Sequence, residues 1–302
     1  MTAPARTPSP DGRRLLLVHA HPDDESIATG ATMAKYAAEG AAVTLVTCTL
    51  GERGEVIPRP LRHLTGAALG RHRRDELDAA AAALGLTDHR LLSDGRWTDS
   101  GMTWVRPGIA GPAPDVRPDA FARADVEEAA TELALVMAEV RPHVVVTYDP
   151  QGGYSHPDHV QAHRATMRAV ELGALADPAW RPAAVFWVRV PRSWAERERT
   201  ATDRPASMLA RDRHDPFPPV VVDDALVDVV VDVAPVLEAK RAALVAHATQ
   251  IRVEGDWFAL SDDVGQQVRD REAYQLAPGY GAVTRRPATV GTDLFSGVRA
   301  DD

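Results

Sequence analysis

The sequence has very little cysteine and lysine. Of its 302 residues one is a cysteine, Cys48, and two are lysines, Lys35 and Lys240. A single cysteine excludes a disulfide framework within the chain. Cys48 lies in the apolar segment 43–50, where a small buried residue is commoner than a nucleophile or a metal ligand. We therefore expect neither disulfides nor thiol chemistry.

Net positive charge and long apolar runs are also absent. The formal net charge of -9 argues against a nucleic-acid or anionic-membrane partner, because both rely on basic patches. No stretch approaches the roughly 18 consecutive apolar residues of a membrane span. Residues 1–12 are proline-rich without an apolar run, so we expect a flexible tail there and no signal peptide. The sequence thus predicts a cytoplasmic protein.

A glycine-rich phosphate loop is missing from the first strand-to-helix turn. Residues 15–18 are typical of a buried strand and residues 26–39 have helical spacing, so residues 21–25 form the turn between them. A dinucleotide-binding fold would place glycines in this turn. Helix capping and the helix dipole explain one or two acidic residues here, but not three beside a histidine. Because imidazole and carboxylate together suit zinc, the clustering of His21 with Asp23, Asp24 and Glu25 predicts a divalent-metal site at this turn.

Strands and helices alternate along most of the chain. This alternation predicts an α/β fold, Rossmann-like and doubly wound, with a mainly parallel sheet and a smaller C-terminal part. Ligands in such folds bind beyond the carboxyl ends of the strands, where the strand order reverses. The first and fourth strands are neighbours at that point. We therefore expect the turns that follow His19 and Tyr148 to meet in one crevice.

A domain boundary is predicted near residue 192. Residues 13–192 would form the metal-binding catalytic domain, and residues 193–302 a C-terminal part that covers the site. The segment 192–219 is rich in arginine, aspartate and proline and predicts a loop or mobile insertion. Alternating apolar and acidic residues predict one or two strands within 220–233. A helix is predicted over 235–250, packing back on the core.

A second His/Asp motif, residues 156–159, follows the fourth strand. A catalytic zinc needs three protein ligands and one open position for water. His21, Asp24 and His159 would supply two imidazoles and one carboxylate. A competing ligand pair is His159 with His163, four residues apart on one helix face, although the glutamate of a His-Glu-x-x-His motif is missing between them.

Other polar residues of the two motifs would support hydrolysis. Asp23 is free to take a proton from the attacking water, and Asp158 can orient the histidines. Tyr154 and His156 follow a glycine pair and could donate hydrogen bonds to a developing oxyanion.

Together, residues 20–25 (Ala-His-Pro-Asp-Asp-Glu) and 156–159 (His-Pro-Asp-His) resemble the LmbE/PIG-L-like zinc deacetylases, which remove acetyl groups from N-acetylglucosaminyl substrates. The resemblance runs from about residue 15 to residue 295 and is weakest at 1–12 and 192–220. Several shorter stretches resemble the branch of the family that acts on N-acetylglucosaminyl-inositol in mycothiol biosynthesis. These stretches are 47–52, 96–102, 146–150, 152–154, 246–250 and 292–295.

The resemblance implies a role for each motif residue. It implies Zn²⁺ as cofactor, one ion per subunit, although Fe²⁺ would also fit two histidines and one carboxylate. The implied zinc ligands are His21, Asp24 and His159, the general base is Asp23, the mobile tyrosine is Tyr154 and the oxyanion-stabilising histidine is His156. Substrate contacts are implied for Arg73 and Asp99, with Glu55 a further candidate on the inositol side. Arg71 and Arg74 flank Arg73, so a shift of one residue would reassign that contact.

The implied activity is metal-dependent hydrolysis of an amide. A small-molecule pseudodisaccharide, N-acetylglucosaminyl-inositol, would give glucosaminyl-inositol and acetate. One alternative is the amidase that cleaves mycothiol S-conjugates, and another is a different N-acetylglucosaminyl deacetylase of the same family. An alternative of another class is a non-catalytic sugar- or nucleotide-binding protein, whose nucleotide form the missing glycines disfavour. The sequence leaves the oligomeric state open.

Overall fold

The computed structural model describes residues 12–178, 180–281 and 290–298. The tail predicted over 1–12 lies outside these ranges except for its last residue. Within them, no helix combines the length and the apolar character that crossing a membrane requires.

Short strands and helices follow one another along the described residues. The strands are β1 (Arg14–His19), β2 (Ala42–Thr47), β3 (Asp88–Leu91), β4 (Met102–Arg106), β5 (Ile109–Pro112), β6 (Val144–Thr147), β7 (Ala184–Pro191), β8 (Val221–Val222), β9 (Val229–Asp232), β10 (Arg252–Glu254), β11 (Trp257–Ala259), β12 (Gln266–Gln267) and β13 (Arg271–Gly281). The helices are α1 (Asp24–Ala28), α2 (Gly30–Ala38), α3 (Gly66–Ala83), α4 (Val126–Val140), α5 (Gly152–Ser155), α6 (Pro157–Ala176), α7 (Arg192–Thr200) and α8 (Leu237–Ala246).

The main sheet has the order β3-β2-β1-β6-β7-β13-β9, and β8 pairs with β7. The first five strands of this order are parallel, whereas β13 runs antiparallel to both of its neighbours. The strand order reverses between β1 and β6, where Leu16 pairs with Val145. The predicted doubly wound α/β fold is therefore confirmed, and the first and fourth predicted strands are neighbours.

Alternate residues of the central strands belong to different cores. Leu15 and Leu17 of β1 pack in a cluster with residues of α2 and α3. Leu16 and Val18 point the other way and pack in a cluster with residues of α4 and α6. Because both faces of the strand are buried, β1 is continuously apolar, as expected for a parallel sheet covered by helices.

The helix predicted over 26–39 is interrupted at Thr29, which has φ −141° and ψ 3°. The Thr29 hydroxyl donates to the carbonyl of Glu25 at 3.2 Å, within the last turn of α1. Buried Glu272 accepts hydrogen bonds from the N–H groups of Ala31 (3.2 Å) and Thr32 (2.8 Å), and thereby caps the start of α2.

The prediction of a loop over 192–219 is wrong for its first part. Residues 192–200 form α7, whose side chains are mainly polar, with Ala195 its one buried residue. A helix with so narrow an apolar face lacks the pattern by which sequence reveals a helix.

The region after residue 192 contributes to the main sheet. One or two strands are predicted within 220–233, and two are present, β8 and β9. Strand β13 lies between β9 and β7. Helix α8 packs against α2 and α3. The domain boundary at residue 192 stays a prediction.

Candidate active site

A cavity of about 540 Å³ lies beyond the carboxyl ends of β1 and β6. The turn after β1 and the segment from α5 to the start of α6 both line this cavity. The two predicted motifs, residues 20–25 and 156–159, therefore meet. The cavity is lined by His21, Asp23, Asp24, Glu55, Arg73, Asp99, Tyr154, His156 and His159, whereas Asp158 lies behind it. Residues of the C-terminal part, including Trp194, Gln250 and Phe258, complete the wall.

Asp24 lies between two histidines. Its Oδ2 atom is 3.3 Å from His21 Nδ1 and 3.3 Å from His159 Nε2. These two distances match the spacing of about 3.3 Å between donor atoms that a tetrahedral ion with bonds of about 2.0–2.1 Å requires. The charges and hydrogen bonds of His159 and His21 outweigh the effect of burial and hold the pKa of Asp24 well below its usual range.

The His159 ring is buried, and its nitrogens lack well-aligned hydrogen bonds. The residue is 2% exposed, and neither nitrogen has a hydrogen bond of good geometry among the described residues, although Nε2 lies 3.3 Å from Asp24 Oδ2. A buried imidazole whose nitrogens are incompletely hydrogen-bonded carries a desolvation penalty that a metal ion would relieve. The donor set therefore fits a divalent cation.

Two other groupings of donors include His21 but not Asp24. Donor atoms of His21, His156 and His159 lie within 4.8 Å of one another, as do those of His21, Asp99, His156 and Asp158. We favour the grouping with Asp24, because its two distances are equal and short, and because His156 Nδ1 already accepts a hydrogen bond from Asp158 N–H at 3.1 Å.

Asp23 adopts a backbone conformation that is rare outside glycine, with φ 116° and ψ −36°. Its carboxylate oxygen Oδ2 lies 3.0 Å from Arg73 Nη2. Burial raises the pKa of Asp23 to about 6, against the opposing charge of Arg73. A carboxylate with a pKa in this range is suited to general-base catalysis near neutral pH.

Arg73 is the buried arginine of its helix. It is 2% exposed, donates to Gly51 O at 2.6 Å and also donates to Pro22 O. Arg71 is exposed and Arg74 pairs with Asp78 on the surface. Of the three neighbouring arginines, Arg73 alone lines the cavity among the described residues.

Asp158 orients the ring of His21. Its Oδ2 lies 3.2 Å from His21 Nε2 and accepts from Ser100 N–H at 2.8 Å, while Oδ1 accepts from Ala122 N–H at 2.8 Å. A carboxylate on one ring nitrogen leaves the other nitrogen, Nδ1, facing Asp24. The Asp158 side chain is fully buried and does not line the cavity, so it orients His21 rather than contacting a substrate.

His156 and Tyr154 present donors to the same cavity. Because His156 Nδ1 accepts a hydrogen bond, the proton of the neutral ring lies on Nε2. Burial, together with His21 and His159, holds the pKa of His156 well below its usual range, so the neutral ring is favoured. Burial also raises the pKa of Tyr154, which keeps its hydroxyl protonated. The Tyr154 ring lies 4.9 Å from that of His159.

Two glycines shape the loop that carries Tyr154. Gly152 has φ +64°, and a Cβ there would lie 2.7 Å from Val160 N, so no larger residue fits. Asp149 fixes the loop by accepting from Gln151 N–H at 2.7 Å and Gly153 N–H at 3.2 Å, and it pairs with Arg189 at 2.8 Å.

The other two predicted substrate residues differ in exposure. Asp99 is buried, accepts from Gly101 N–H at 2.7 Å and Arg53 N–H at 3.1 Å, and lies 3.6 Å from His21 Nε2. The charge of His21 outweighs burial and lowers the pKa of Asp99. Glu55 is exposed at the edge of the cavity.

Sequence reasoning missed Tyr148 as part of the site. Its ring stacks on His159 with centroids 4.3 Å apart, and its hydroxyl accepts from Ala20 N–H at 2.9 Å. It also forms a hydrogen bond with Asp24, which contributes to raising the pKa of Tyr148 above its usual value, mainly an effect of burial. Tyr148 directly follows β6, at the edge of the sheet where ligands bind, and this position was the signal in the sequence that could have identified it.

Two further histidines, His163 and His247, lie near the site outside the proposed ligand set. His163 Nδ1 lies 2.9 Å from Tyr148 O, and His163 belongs to neither of those two groupings of donors in the described residues. His247 is fully buried and contacts Glu25 in the turn after β1 at 2.6 Å.

The fold and this site define a doubly wound α/β protein with a candidate metal centre at its topological switch point. A family model described as "PIG-L: GlcNAc-PI de-N-acetylase" matches residues 16–170. The chain belongs to this family, as the resemblance of its motifs predicted.

Several relatives align with nearly the whole chain and are identical to it at about half of the aligned positions. A protein of Streptomyces avermitilis named 1D-myo-inositol 2-acetamido-2-deoxy-alpha-D-glucopyranoside deacetylase is 52% identical, over 95% of this chain and 97% of that protein. A Nocardioides protein of the same name is 48% identical, over 95% of this chain and 99% of its own length. The N,N'-diacetylchitobiose deacetylase of Pyrococcus horikoshii, a solved structure, is 19% identical with a TM-score of 0.54, over 92% of this chain and 90% of that one. That similarity supports the fold alone.

Proposed function

We propose that this chain hydrolyses the N-acetyl group of N-acetylglucosaminyl-inositol, giving glucosaminyl-inositol and acetate in mycothiol biosynthesis. The substrate class follows from the names of relatives that are about 50% identical along nearly the whole chain. The chemistry follows from one observation above all, which is that Asp24 Oδ2 lies 3.3 Å from both His21 and His159, next to Asp23. We further propose a cytoplasmic enzyme that acts on a small molecule without nucleic-acid or membrane partners.

The proposed ligands of the ion are His21, Asp24 and His159, with zinc as the ion. Two imidazoles and one carboxylate leave a coordination position open, as in catalytic zinc sites, and the same set would also accept Fe²⁺. When bound, the ion would polarise the acetyl carbonyl and lower the pKa of a water molecule to about 7. Asp158 holds the His21 ring at 3.2 Å, so that Nδ1 faces the cavity.

The remaining steps are proton transfers and hydrogen bonds made by the chain. Asp23 takes the proton of the attacking water, which adds to the acetyl carbonyl carbon. The Tyr154 hydroxyl and His156 Nε2–H donate to the oxygen that becomes negatively charged. Asp23, now protonated, then gives its proton to the leaving amine, the C–N bond breaks, and acetate is released.

The sugar and inositol hydroxyl groups would contact polar side chains of the cavity wall. We assign Arg73 and Asp99 to the sugar side, near the proposed metal ligands, and Glu55 to the inositol side. This division agrees with the burial of Arg73 and Asp99 and with the exposure of Glu55 at the edge of the cavity.

The assay that tests the substrate compares two amides. Purified zinc-loaded protein should release acetate from N-acetylglucosaminyl-inositol faster than it cleaves the bimane S-conjugate of mycothiol. Cleavage of the conjugate without acetate release would show that the chain is the amidase and not the deacetylase. Binding of N-acetylglucosaminyl-inositol in the presence of chelator, with neither amide cleaved after addition of metal, would favour the non-catalytic sugar-binding protein.

A further inference from the structure

The backbone of Asp23 is held in an unfavourable conformation by its surroundings. At φ 116° and ψ −36° a non-glycine residue is strained and persists only where neighbouring groups fix it. Arg73 fixes the carboxylate, through the 3.0 Å contact with Oδ2. The backbone N–H is fixed separately, by a hydrogen bond to Glu25 Oε2 at 2.9 Å.

Glu25 is a fully buried carboxylate that does not line the cavity. Besides the Asp23 N–H, it accepts hydrogen bonds from Ser26 Oγ at 2.5 Å and from His247 Nε2 at 2.6 Å. A buried carboxylate needs such partners, because an unpaired charge is strongly destabilising. His247 and Ser26 together hold Oε1, while Oε2 accepts from the Asp23 N–H, so His247 contributes to the orientation of the carboxylate.

His247 comes from a distant part of the chain. It follows α8 directly, lies 222 residues from Glu25, and both side chains are 0% exposed. The segment that carries His247 is also attached to α3, since Thr249 N–H and Oγ each donate to Glu76 at 2.7 Å. Helix α3 also carries Arg73, which holds the Asp23 carboxylate. The segment after α8 therefore contacts both this helix and Glu25, which holds the Asp23 N–H.

We propose that His247 is a positioning residue for Asp23, acting through Glu25. By fixing the Glu25 carboxylate, His247 holds the Asp23 N–H and keeps the side chain aimed into the cavity. The inference rests on the proposed role of Asp23 as general base. The expected loss of rate when His247 is replaced follows from geometry, because misplacing a reacting group by about 1 Å can lower the rate by about 10²-fold.

Two variants separate positioning from packing. His247→Gln places an amide nitrogen where the ring has Nε2, so it can still donate to Glu25, whereas His247→Asn is too short. We expect His247→Asn to lower kcat for acetate release by about 10- to 100-fold with KM and zinc content unchanged, and His247→Gln to restore most of the rate. In an Asp23→Asn background, His247→Asn should have little further effect on the residual rate. An equal loss in both backgrounds would overturn the proposal.

A second readout does not depend on activity. Hydrogen exchange of the peptide that covers residues 20–26 should be faster in His247→Asn than in the wild type and in His247→Gln. Tyr36→Phe is the matched control, because it removes buried hydrogen bonds to Asp293 and Leu294, 2.8 Å each, outside this network. Unchanged exchange in His247→Asn would refute the positioning role. A wild type that releases no acetate would refute the proposed function alone, and exchange would still decide the role of His247.

Discussion

Arg73 and Asp23 form an ion pair at the cavity, with Nη2 3.0 Å from Oδ2, and the arginine side chain is 3% exposed. The same guanidinium donates to the carbonyls of Gly51 and Pro22. A planar group with fixed donors can serve these three acceptors together, whereas a lysine ammonium cannot reach them in the same geometry. The pair therefore sets the position of the proposed base.

Arg73→Lys should lower kcat/KM for deacetylation by about 10- to 100-fold while the zinc content stays at the wild-type level. Arg71→Lys is the matched control, because Arg71 is exposed on the same helix. Steady-state kinetics with metal analysis checks both variants. A larger loss in Arg71→Lys than in Arg73→Lys would mean that the contact is assigned to the wrong arginine.

Tyr148→Phe should weaken metal binding. The variant keeps the ring stacked on His159 but loses the hydroxyl that binds Ala20 N–H and Asp24. Loss of a group that orients a ligand typically reduces metal affinity by about 10- to 100-fold, which competition with a fluorescent chelator measures. Tyr274→Phe, which loses a bond to Thr32 at 2.7 Å elsewhere in the core, should bind zinc like the wild type. Equal affinity in Tyr148→Phe would remove Tyr148 from the site.

Gly152→Ala should damage the site, and Gly85→Ala should not. Both positions have positive φ, at +64° and +73°, so each substitution strains the backbone by about 1–3 kcal/mol. Only at Gly152 does the added Cβ meet backbone, 2.7 Å from Val160 N, next to His159. Kinetics corrected for the folded fraction should show a loss of kcat in Gly152→Ala alone. A similar loss in Gly85→Ala would indicate a general effect of strain.

The two lysines provide a stability test of the junction between α8 and the sheet. Lys240 pairs with Glu272 at 2.6 Å with both side chains buried, so Lys240→Met should destabilise by about 3 kcal/mol. Lys35 pairs with Glu39 at the same distance, but with 29% and 38% of the side chains exposed, so Lys35→Met should cost less than about 1 kcal/mol. Urea unfolding of both variants checks the difference. Equal midpoints would show that the buried pair does not stabilise this junction.

The strand order and the meeting of the two motifs were predictable because the signals are local. Apolar residues on both faces of β1 and β6 indicate buried parallel strands, and polar turns at their carboxyl ends indicate a crevice. Side chains within those turns, such as His21 and Asp24, therefore meet as expected.

Features that depend on distant partners were not predictable. The start of α2 after the break at Thr29 is capped by Glu272, which lies more than 200 residues from the N–H groups whose hydrogen bonds it accepts. His247 has no local pattern that marks Glu25 as its partner, because the contact is created by the packing of α8 on α2 and α3. Helix α7 lacks an apolar face that would distinguish it from a polar loop.

The central claim is zinc-dependent deacetylation with Asp23 as base, and acetate release from N-acetylglucosaminyl-inositol by metal-free protein tests it most directly. The rate should be near zero before, and restored after, addition of one equivalent of zinc. Asp23→Asn should bind the same amount of zinc and retain only a small residual rate. Acetate release that persists without metal, or a zinc-loaded Asp23→Asn as active as the wild type, would contradict the account.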